Sequence, residues 1–168
     1  IIGAGTRLDS RHVMVLAGLG IAEVPVRQRV KVALLCTGRE LVDDPAQILL
    51  SGQIRNSNGP YLALRLCQAG AQLVLPTGQL VFGLPGNPVS SAVGLRFFIE
   101  PALRAAYGQP QERAWRLPLL HSVDNKAGLR HHQKAVLSVD ARGQLGVSLL
   151  AGQESFKTKP LLAANVWA

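Results

Sequence analysis

The segment from Val30 to Leu35 is a nearly continuous run of β-branched and aliphatic residues, and it constrains the fold more than any other stretch. Such a run is typical of a parallel strand that is covered on both faces. Asn56 to Pro60 then combine capping side chains with a proline, which predicts the start of a helix. Gly70 ends that helix, and Ala71–Leu75 is the next predicted strand. Because such units are right-handed with parallel strands, the sequence predicts an α/β fold.

The two cysteines fall on predicted buried surfaces. Cys36 ends the first strand, and Cys67 shares the apolar face of the helix with Leu62, Ala63 and Leu66. Both are therefore predicted to be reduced core residues, not partners in a disulfide. Reduced thiols are typical of the cytoplasm, which is the predicted compartment.

A second strand-to-helix turn follows. Leu80–Leu84 is a predicted buried strand, broken by the sequence Pro-Gly-Asn-Pro at positions 85 to 88. Asn87 is a suitable N-cap and Pro88 a suitable first residue for a helix that is predicted to extend to about residue 106. Val89, Val93 and Phe97 would form its buried stripe, and Pro101 is expected to kink or break it.

The residue patterns at the two ends of the chain differ from the α/β pattern, and they predict two further domains. Asp9 or Ser10 is expected to cap a helix over Arg11–Leu19, which ends at Gly20 and leads into a strand at Ile21–Val26. Near residue 112 the pattern changes to short apolar runs separated by Gly, Asn and Asp, which is typical of a small antiparallel sheet or barrel. These runs are Leu117–Leu120, Ala135–Val139, Leu145–Leu150 and Leu161–Ala164. The predicted domains are 1–27, the end of an N-terminal lid or linker; 28–111, α/β; and 112–168, β.

The charge balance favours an anionic ligand. Lys and Arg number 18 against 10 Asp and Glu, which gives a net charge of +8 and favours association with anions. Aromatic residues make up only 5%, and no basic run is interleaved with them, so small phosphorylated ligands fit better than nucleic acid. No apolar run reaches the roughly 18 residues of a membrane helix, so no membrane contact is predicted. The adjacent His131 and His132 would point to opposite faces of a strand, which argues against joint metal binding.

Three motifs in order carry a resemblance to a known family. They are Cys36–Leu41 after the first strand, Gly52–Asn58 before the first helix and Phe82–Ser90 around the double proline. Together they resemble the molybdopterin molybdenumtransferase family, which includes bacterial MoeA and the E domain of gephyrin. The segments Gly5–Leu8, Leu19–Val26 and Gly152–Ser155 are also similar to that family, so the resemblance spans almost the whole chain.

The resemblance implies a doubly wound, mostly parallel sheet that binds adenylylated molybdopterin, followed by a small C-terminal β-barrel. It also implies a divalent cation such as Mg²⁺, molybdate as the second substrate, and release of AMP. A homodimer, and a molybdopterin adenylyltransferase as partner, follow from the same resemblance. In this family a long segment with a Ser-Gly-Gly loop, acidic residues and lysines lies between the strands similar to Ala71–Leu75 and Leu80–Leu84. Such a segment is therefore predicted to be missing at Pro76–Gln79. It is either deleted from the polypeptide or left out of the numbered sequence. Because the residues on both sides keep the family's patterns, we favour the segment having been left out.

Site residues follow from the motifs and from simple chemistry. Thr37 and Gly38 come after a strand, where open α/β sheets bind their ligands, and Gly38 allows an anion to approach the backbone. Glu40 would repel an oxyanion unless it holds a cation, so it is the predicted metal ligand and a catalytic residue. Arg39 departs from the acidic or amide residue that the family has at its position, which alters the local charge.

Donors at helix starts complete the prediction. Asn56, Ser57 and Asn58 would bind phosphate or simply cap the helix. The stiff corner of Pro85, Gly86, Asn87 and Pro88, with Ser90 behind it, would hold molybdate, and its two prolines are counted as catalytic. The family resemblance also implies that Arg130, Lys134 and Ser155, in the last domain, would meet the pterin phosphate of a partner subunit. Glu40 and the corner are expected to converge on one anion pocket.

Two other function classes stay open. A binding or scaffold module of the same fold would lack turnover, and true loss of the missing segment would favour it. Nucleic-acid binding driven by the +8 charge would show affinity that falls steeply with salt. The transferase hypothesis instead predicts positioning and charge stabilisation without a protein nucleophile.

Overall fold

The computed structural model describes residues 2–74, 82–125 and 128–168. Contacts divide the chain into two compact units. Unit 1 comprises Ile1–Phe82 and Leu95–Glu112, and unit 2 comprises Gly83–Gly94 and Arg113–Ala168. The segment around the double proline thus groups with the C-terminal residues, although it follows the α/β part in sequence.

The regular elements of unit 1 are short. They are α1 (Ser10–Gly18), β1 (Lys31–Val32), β2 (Leu41–Val42), β3 (Ile54–Arg55), α2 (Asn58–Gln68), β4 (Gln72–Leu73), a π-helical turn (Leu95–Ile99) and α4 (Glu100–Ala106). Those of unit 2 are α3 (Pro88–Gly94), β5 (Lys134–Val139), β6 (Leu145–Leu149), a 3₁₀ helix (Lys159–Leu162) and β7 (Val166–Trp167).

The strand, helix and strand predicted at the start of the chain are present. Strand β1 pairs with β4 in parallel, with Lys31 opposite Gln72 and Val32 opposite Leu73, and α2 lies between them in sequence. A second parallel pair joins β2 to β3. The α/β class is therefore confirmed. The described residues form two separate two-stranded sheets, and Leu35, predicted to be covered on both faces, is 71% exposed.

The core of unit 1 lies on one face of α2. Leu62 and Leu66, four positions apart, are buried, as are Leu95 and Leu103 in the later helical segment. The prediction of core cysteines was wrong, because both Cys36 and Cys67 are free and exposed. Residue 67 lies five positions after Leu62, which turns it well away from the buried stripe.

The long predicted helix has a π-helical turn at Leu95–Ile99, immediately before α4. Pro101, in the first turn of α4, has no backbone N–H to donate and its ring crowds the preceding turn, so a regular α-helical ladder cannot pass through it. The expected break at Pro101 is confirmed. The buried stripe runs through Val89, Ala92 and Leu95, whereas Val93 and Phe97, which were predicted to be in it, are half-buried.

Helix α1 begins and ends as its sequence predicts. The Asp9 carboxylate accepts from the backbone N–H groups of Arg11 and His12, and His12 reciprocates in a capping box. Gly20 has a positive φ of 71°, and Ile21 N donates to Leu16 O at 2.9 Å, which is a Schellman ending. The predicted strand at Ile21–Val26 was wrong, because those residues belong to no strand.

Unit 2 contains an open three-stranded antiparallel sheet in the order β6, β5, β7. An isolated bridge from Leu119 to Val147 adds one more contact at the edge of β6. The described residues of this unit form no closed barrel, which corrects the predicted barrel to a small sheet. Leu161–Ala164, also predicted as a strand, overlaps the 3₁₀ helix instead, because Pro160 cannot donate to a strand ladder.

The predicted join at Pro76–Gln79 lies outside the described residues, as does the first part of the predicted strand Leu80–Leu84. Its described part, residues 82 to 84, has no strand. Within the described ranges, no helix has both the length and the apolar character needed to cross a membrane.

Candidate functional site

In unit 1, Gly38 and Glu40 form a tight turn after β1. Leu41 N donates to Gly38 O at 3.2 Å, and the Glu40 carboxylate folds back over residue 38. A methyl group added at Gly38 would lie only 2.6 Å from Glu40 Oε1. Position 38 also has a positive φ of 153°, a backbone conformation that favours glycine, and the carboxylate lies where a side chain would be. Thr37 beside it is exposed.

Asn56 is the best-ordered polar side chain of the predicted phosphate site. Its Oδ1 accepts from Gly59 N at 2.9 Å, and its Nδ2 donates to Asp43 Oδ1 at 2.8 Å. A methyl group on Gly59 would also approach the Cys36 sulfur at 3.2 Å. The start of α2 therefore lies against Cys36, at the end of the first predicted strand. Asn56 acts as a capping residue here, and the hydroxyl of Ser57 makes no capping bond.

Glu40 and Asn56 lie toward opposite ends of the β2–β3 pair. Ile54 N donates to Glu40 O, and Asn56 N donates to Val42 O two residues further along. Because the strands are parallel and each residue advances about 3.3 Å, Glu40 lies at the amino end of β2 and Asp43 at its carboxyl end. The described residues contain no group of three or more His, Cys, Asp or Glu side chains able to hold a metal ion. Glu40 as a metal ligand stays a prediction.

In unit 2, the corner from Pro85 to Pro88 is fixed by hydrogen bonds as well as by its two prolines. The hydroxyl of buried Ser91 donates to Pro85 O. Asn87 Oδ1 accepts from Val89 N at 3.2 Å and from Ser90 N at 3.5 Å. The first N–H groups of α3, which the sequence predicted as free donors, are thus already occupied by the Asn87 cap.

The structure joins Ser155 to this corner. Asn87 Nδ2 donates to Ser155 Oγ at 3.0 Å, although the two residues are 68 positions apart. Val89 N also lies 3.4 Å from Ser155 O. Two predicted substrate-binding positions from separate motifs therefore meet within unit 2.

Lys134 does not lie on a surface that a partner subunit could reach. The residue is 1% exposed, and its ammonium donates to the carbonyls of Glu154 and Lys157 at 3.3 and 3.1 Å. Burial lowers the pKa of Lys134 below its ordinary value, although the nearby Glu154 carboxylate opposes this shift. Its predicted contact with a phosphate is corrected accordingly, since both carbonyls compete for the same donors.

The remaining predicted residue of the last domain is Arg130, which is exposed. His131 is also exposed, whereas His132 is half-buried. Burial, with the Arg130 charge as a second cause, lowers the pKa of His132. Arg130 stays a predicted ligand contact.

Several residues that shape these turns were not predicted from sequence. Asp43 holds Asn56, Ser91 holds Pro85, and Gln153 bonds both the N–H and the carbonyl of Lys134. Asp43 could have been found, because it directly follows β2, and polar residues at strand ends commonly form sites. Ser91 and Gln153 carry no such local signal.

A charged cleft in unit 1 was also not predicted. Its volume is about 220 Å³, and its lining includes Arg7, Arg65, Glu100, Arg104 and Glu112. The two carboxylates alternate with arginines in a chain of ion pairs that also includes Arg96. This alternation explains the cleft as a structural network between α2, α4 and the segment that follows.

The chain is similar to known proteins, over its whole length or over part of it. A molybdopterin molybdenumtransferase of Synechococcus elongatus is 26% identical over 238 aligned positions, which cover 100% of this chain and 58% of the relative. Molybdopterin molybdenumtransferase 2 of Mycobacterium tuberculosis is 27% identical over 199 positions, 74% of this chain and 49% of the relative. A molybdopterin molybdenumtransferase of Staphylococcus epidermidis is 37% identical over 73 residues, 44% of this chain and 17% of the relative. No family model matches.

The solved structure of the molybdopterin biosynthesis moeA protein from Pyrococcus horikoshii OT3 has the same fold. It superposes with a TM-score of 0.75 at 20% identity, over 97% of this chain and 54% of the other. The chain spans about half the length of the two long curated matches. The 238 aligned positions also exceed the 168 residues of this chain, so about 70 positions of the Synechococcus relative have no counterpart here.

Proposed function

We propose that this chain, which is similar along its whole length to a molybdopterin molybdenumtransferase and has the fold of a moeA protein, acts in molybdenum cofactor biosynthesis, inserting molybdate into adenylylated molybdopterin with release of AMP. The observation that carries the proposal is the link between Asn87 and Ser155. Two family-like motifs that are distant in sequence meet in unit 2, at a corner that two prolines and buried Ser91 make rigid. A rigid polar corner suits a reaction that depends on positioning its reactants.

The proposed binding residues supply hydrogen bonds and charge, not a nucleophile. Thr37, Gly38 and the Asn58 end of α2 would contact phosphate groups, where the positive end of a helix dipole favours anions. Gly86, Asn87 and Ser90 would contact molybdate, with exchange of the Asn87 cap for the ligand. Arg130 and Ser155 would contact the pterin phosphate. Glu40 and the corner belong to different units, and their meeting at one pocket stays a prediction.

We propose that Mg²⁺ binds together with the substrate. Glu40 would contribute one carboxylate oxygen, and the other ligands would come from substrate oxygens and water, as is common for this ion. The ion would supply positive charge next to phosphate oxygens. A homodimer, a molybdopterin adenylyltransferase partner and a cytoplasmic location complete the proposal, and all three rest on the family resemblance alone.

The second candidate is a molybdopterin-binding or scaffold module without turnover. The specific observation in its favour is the set of about 70 aligned positions that this chain lacks relative to the Synechococcus enzyme. Such a module would keep the motif turns and bind ligand, but it would not release AMP. Intact mass decides which polypeptide is under test, because the present sequence corresponds to 17.9 kDa.

The experiment combines ligand binding with turnover. The mass-verified chain is mixed with adenylylated molybdopterin, molybdate and Mg²⁺, and AMP release and molybdenum incorporation are followed. Turnover supports the transferase, and a thermal shift by ligand without AMP supports the binding module. Glu40→Gln is expected to weaken the shift caused by AMP plus Mg²⁺, whereas Glu23→Gln, an exposed acid outside the site, keeps it. No response to any of these ligands would overturn both candidates.

A further inference from the structure

We infer that Lys134 is a positioning residue, whose buried ammonium holds the segment from Gln153 to Lys157 in the shape that lets Ser155 brace the Pro85–Pro88 corner. The structural part of this inference concerns unit 2 alone. Its consequence for ligand binding rests on the proposed function, in which that corner contacts molybdate.

Lys134 forms hydrogen bonds to this segment through both its main chain and its side chain. Its backbone N–H donates to Gln153 Oε1 at 2.9 Å, and its carbonyl accepts from Gln153 Nε2 at 2.8 Å and from Leu150 N at 3.0 Å. Its ammonium donates to the carbonyls of Glu154 and Lys157. Lys134 therefore contacts both ends of the segment that contains Ser155.

A lysine is an unusual residue at a position as buried as 134. Burial of an ammonium is unfavourable unless it is hydrogen-bonded, so an apolar residue would be the simpler filling for a site that is 1% exposed. An apolar side chain, however, would leave the carbonyls of Glu154 and Lys157 without these donors. The exposed pair between Lys157 Nζ and Glu154 Oε1, at 2.7 Å, adds only a partly screened contact.

Ser155 connects the segment to the corner. Ser155 lies between the two carbonyls that Lys134 holds, and it contacts the corner twice, through its hydroxyl to Asn87 and through its carbonyl to Val89 N. If the segment moves, both contacts open together. The Val89 N–H donates to both Asn87 Oδ1, at 3.2 Å, and Ser155 O, at 3.4 Å, and Asn87 Nδ2 is itself held by Ser155. Movement of the segment therefore removes one acceptor of the Val89 amide and loosens the other, so this amide responds to a cation 45 positions away in sequence.

Hydrogen exchange measured by NMR on the full 168-residue chain tests this coupling. Lys134→Met keeps a long apolar stem but removes the ammonium. We expect Val89 and Lys157 amides to exchange about tenfold faster in this variant, while amides of the β5–β6 ladder keep their protection. Lys157→Met is the matched control, because it removes only the exposed ion pair, and Val89 should keep its exchange rate.

A second variant covers the case in which Lys134→Met does not fold. Gln153→Met loosens the same segment without uncovering the ammonium, and it should speed exchange at Val89 by a similar factor. A folded variant of either kind in which Val89 exchanges at the parent rate overturns the inference. A general loss of protection throughout β5 and β6 also overturns it, because Lys134 would then serve the sheet and not the corner.

Molybdate binding by calorimetry separates the inference from the proposed function. We expect the Kd for molybdate to rise about tenfold in Lys134→Met and to stay at the parent value in Lys157→Met. If the parent does not bind molybdate, the proposed role of the corner fails, while accelerated exchange at Val89 would still support Lys134 as the residue that positions Ser155.

Discussion

The hydroxyl of Tyr107 shows how one side chain can join separate parts of unit 1. It accepts from Val30 N at 2.9 Å and donates to Gly70 O at 2.8 Å, so it connects the residue before β1 to the turn after α2. Tyr107→Phe should lower the free energy of unfolding by about 1–3 kcal/mol, because a donor and an acceptor lose their partner together. Urea denaturation measures this loss. Tyr61→Phe is the matched control, and an equal loss in both variants would contradict the bridging role.

Gly38 is a second position where a single atom matters. Gly38→Ala would place its methyl group 2.6 Å from Glu40 Oε1, so the carboxylate must leave its place over the turn. We expect this variant to lose the thermal shift by AMP plus Mg²⁺ to a similar extent as Glu40→Gln, with the fold retained because the turn is exposed. Gly3→Ala is the control, since an added methyl there meets nothing within 4 Å. A full ligand response in Gly38→Ala would show that the position of Glu40 is unimportant.

Helix α1 depends on one ionised cap. Hydrogen bonds from Arg11, and then from His12, hold the pKa of Asp9 far below its ordinary value of 3.8. A depressed carboxyl pKa stabilises the folded helix fully above the ordinary value, and the contribution disappears as pH falls through the lower folded-state pKa. NMR shifts of the Arg11 and His12 amides, followed from about pH 5 down to about pH 1, should therefore change only at the acidic end of this range. Asp9→Asn keeps a capping acceptor without the charge and should abolish the transition; its persistence would identify another titrating group.

Glu100, the first residue of α4, forms ion pairs with α2 and with the π-helical turn. Glu100 is 15% exposed and pairs with both Arg65 and Arg96. Glu100→Gln should cost about 1–3 kcal/mol, because it leaves two half-buried arginines facing each other. Glu112→Gln, whose carboxylate is 47% exposed, should cost less than about 1 kcal/mol. Urea denaturation at about 0.15 M and about 1 M salt compares the two, and a larger loss for Glu112→Gln would contradict this ranking.

At the scale of elements, local chemistry predicted what lies within a few residues. The Asp9 cap, the Gly20 ending, the start of α2 and the break at Pro101 each depend on near neighbours, so the sequence contains the information. The failures depend on distant partners. Ile21–Val26 has strand-forming residues, yet a strand exists only where another chain segment offers hydrogen bonds.

In the candidate site, too, the sequence predicted the local features and not the contacts between distant residues. Motif spacing predicted that Asn56 lies at the start of α2 and that the double proline makes a stiff corner. It could not predict that Lys134 is buried beneath the Ser155 segment, because this requires a contact between residues some twenty positions apart. Lysines are rarely buried, so a sequence argument places them on the surface unless a tertiary partner is known.

For the whole molecule, we expect the charge of +8 not to serve as a nucleic-acid surface. Of the 18 basic residues, at least six bond to carboxylates or backbone carbonyls within their own unit: Arg27, Arg55, Arg65, Arg96, Arg104 and Lys134. Such side chains are fixed by the fold and are only partly available to phosphates of a polymer, which need a continuous basic stripe.

We therefore expect duplex DNA to bind weakly at low salt and to dissociate as salt rises to about 0.15 M, while AMP with Mg²⁺ continues to raise the melting temperature under the same conditions. Fluorescence anisotropy with a labelled duplex, beside a thermal-shift assay, makes both measurements on one preparation. The physical reason for the difference is that screening removes diffuse attraction between exposed charges, whereas directed hydrogen bonds in a turn survive it. Submicromolar affinity for DNA at the higher salt, with no response to AMP, would reverse this assignment of the charge and favour a nucleic-acid ligand.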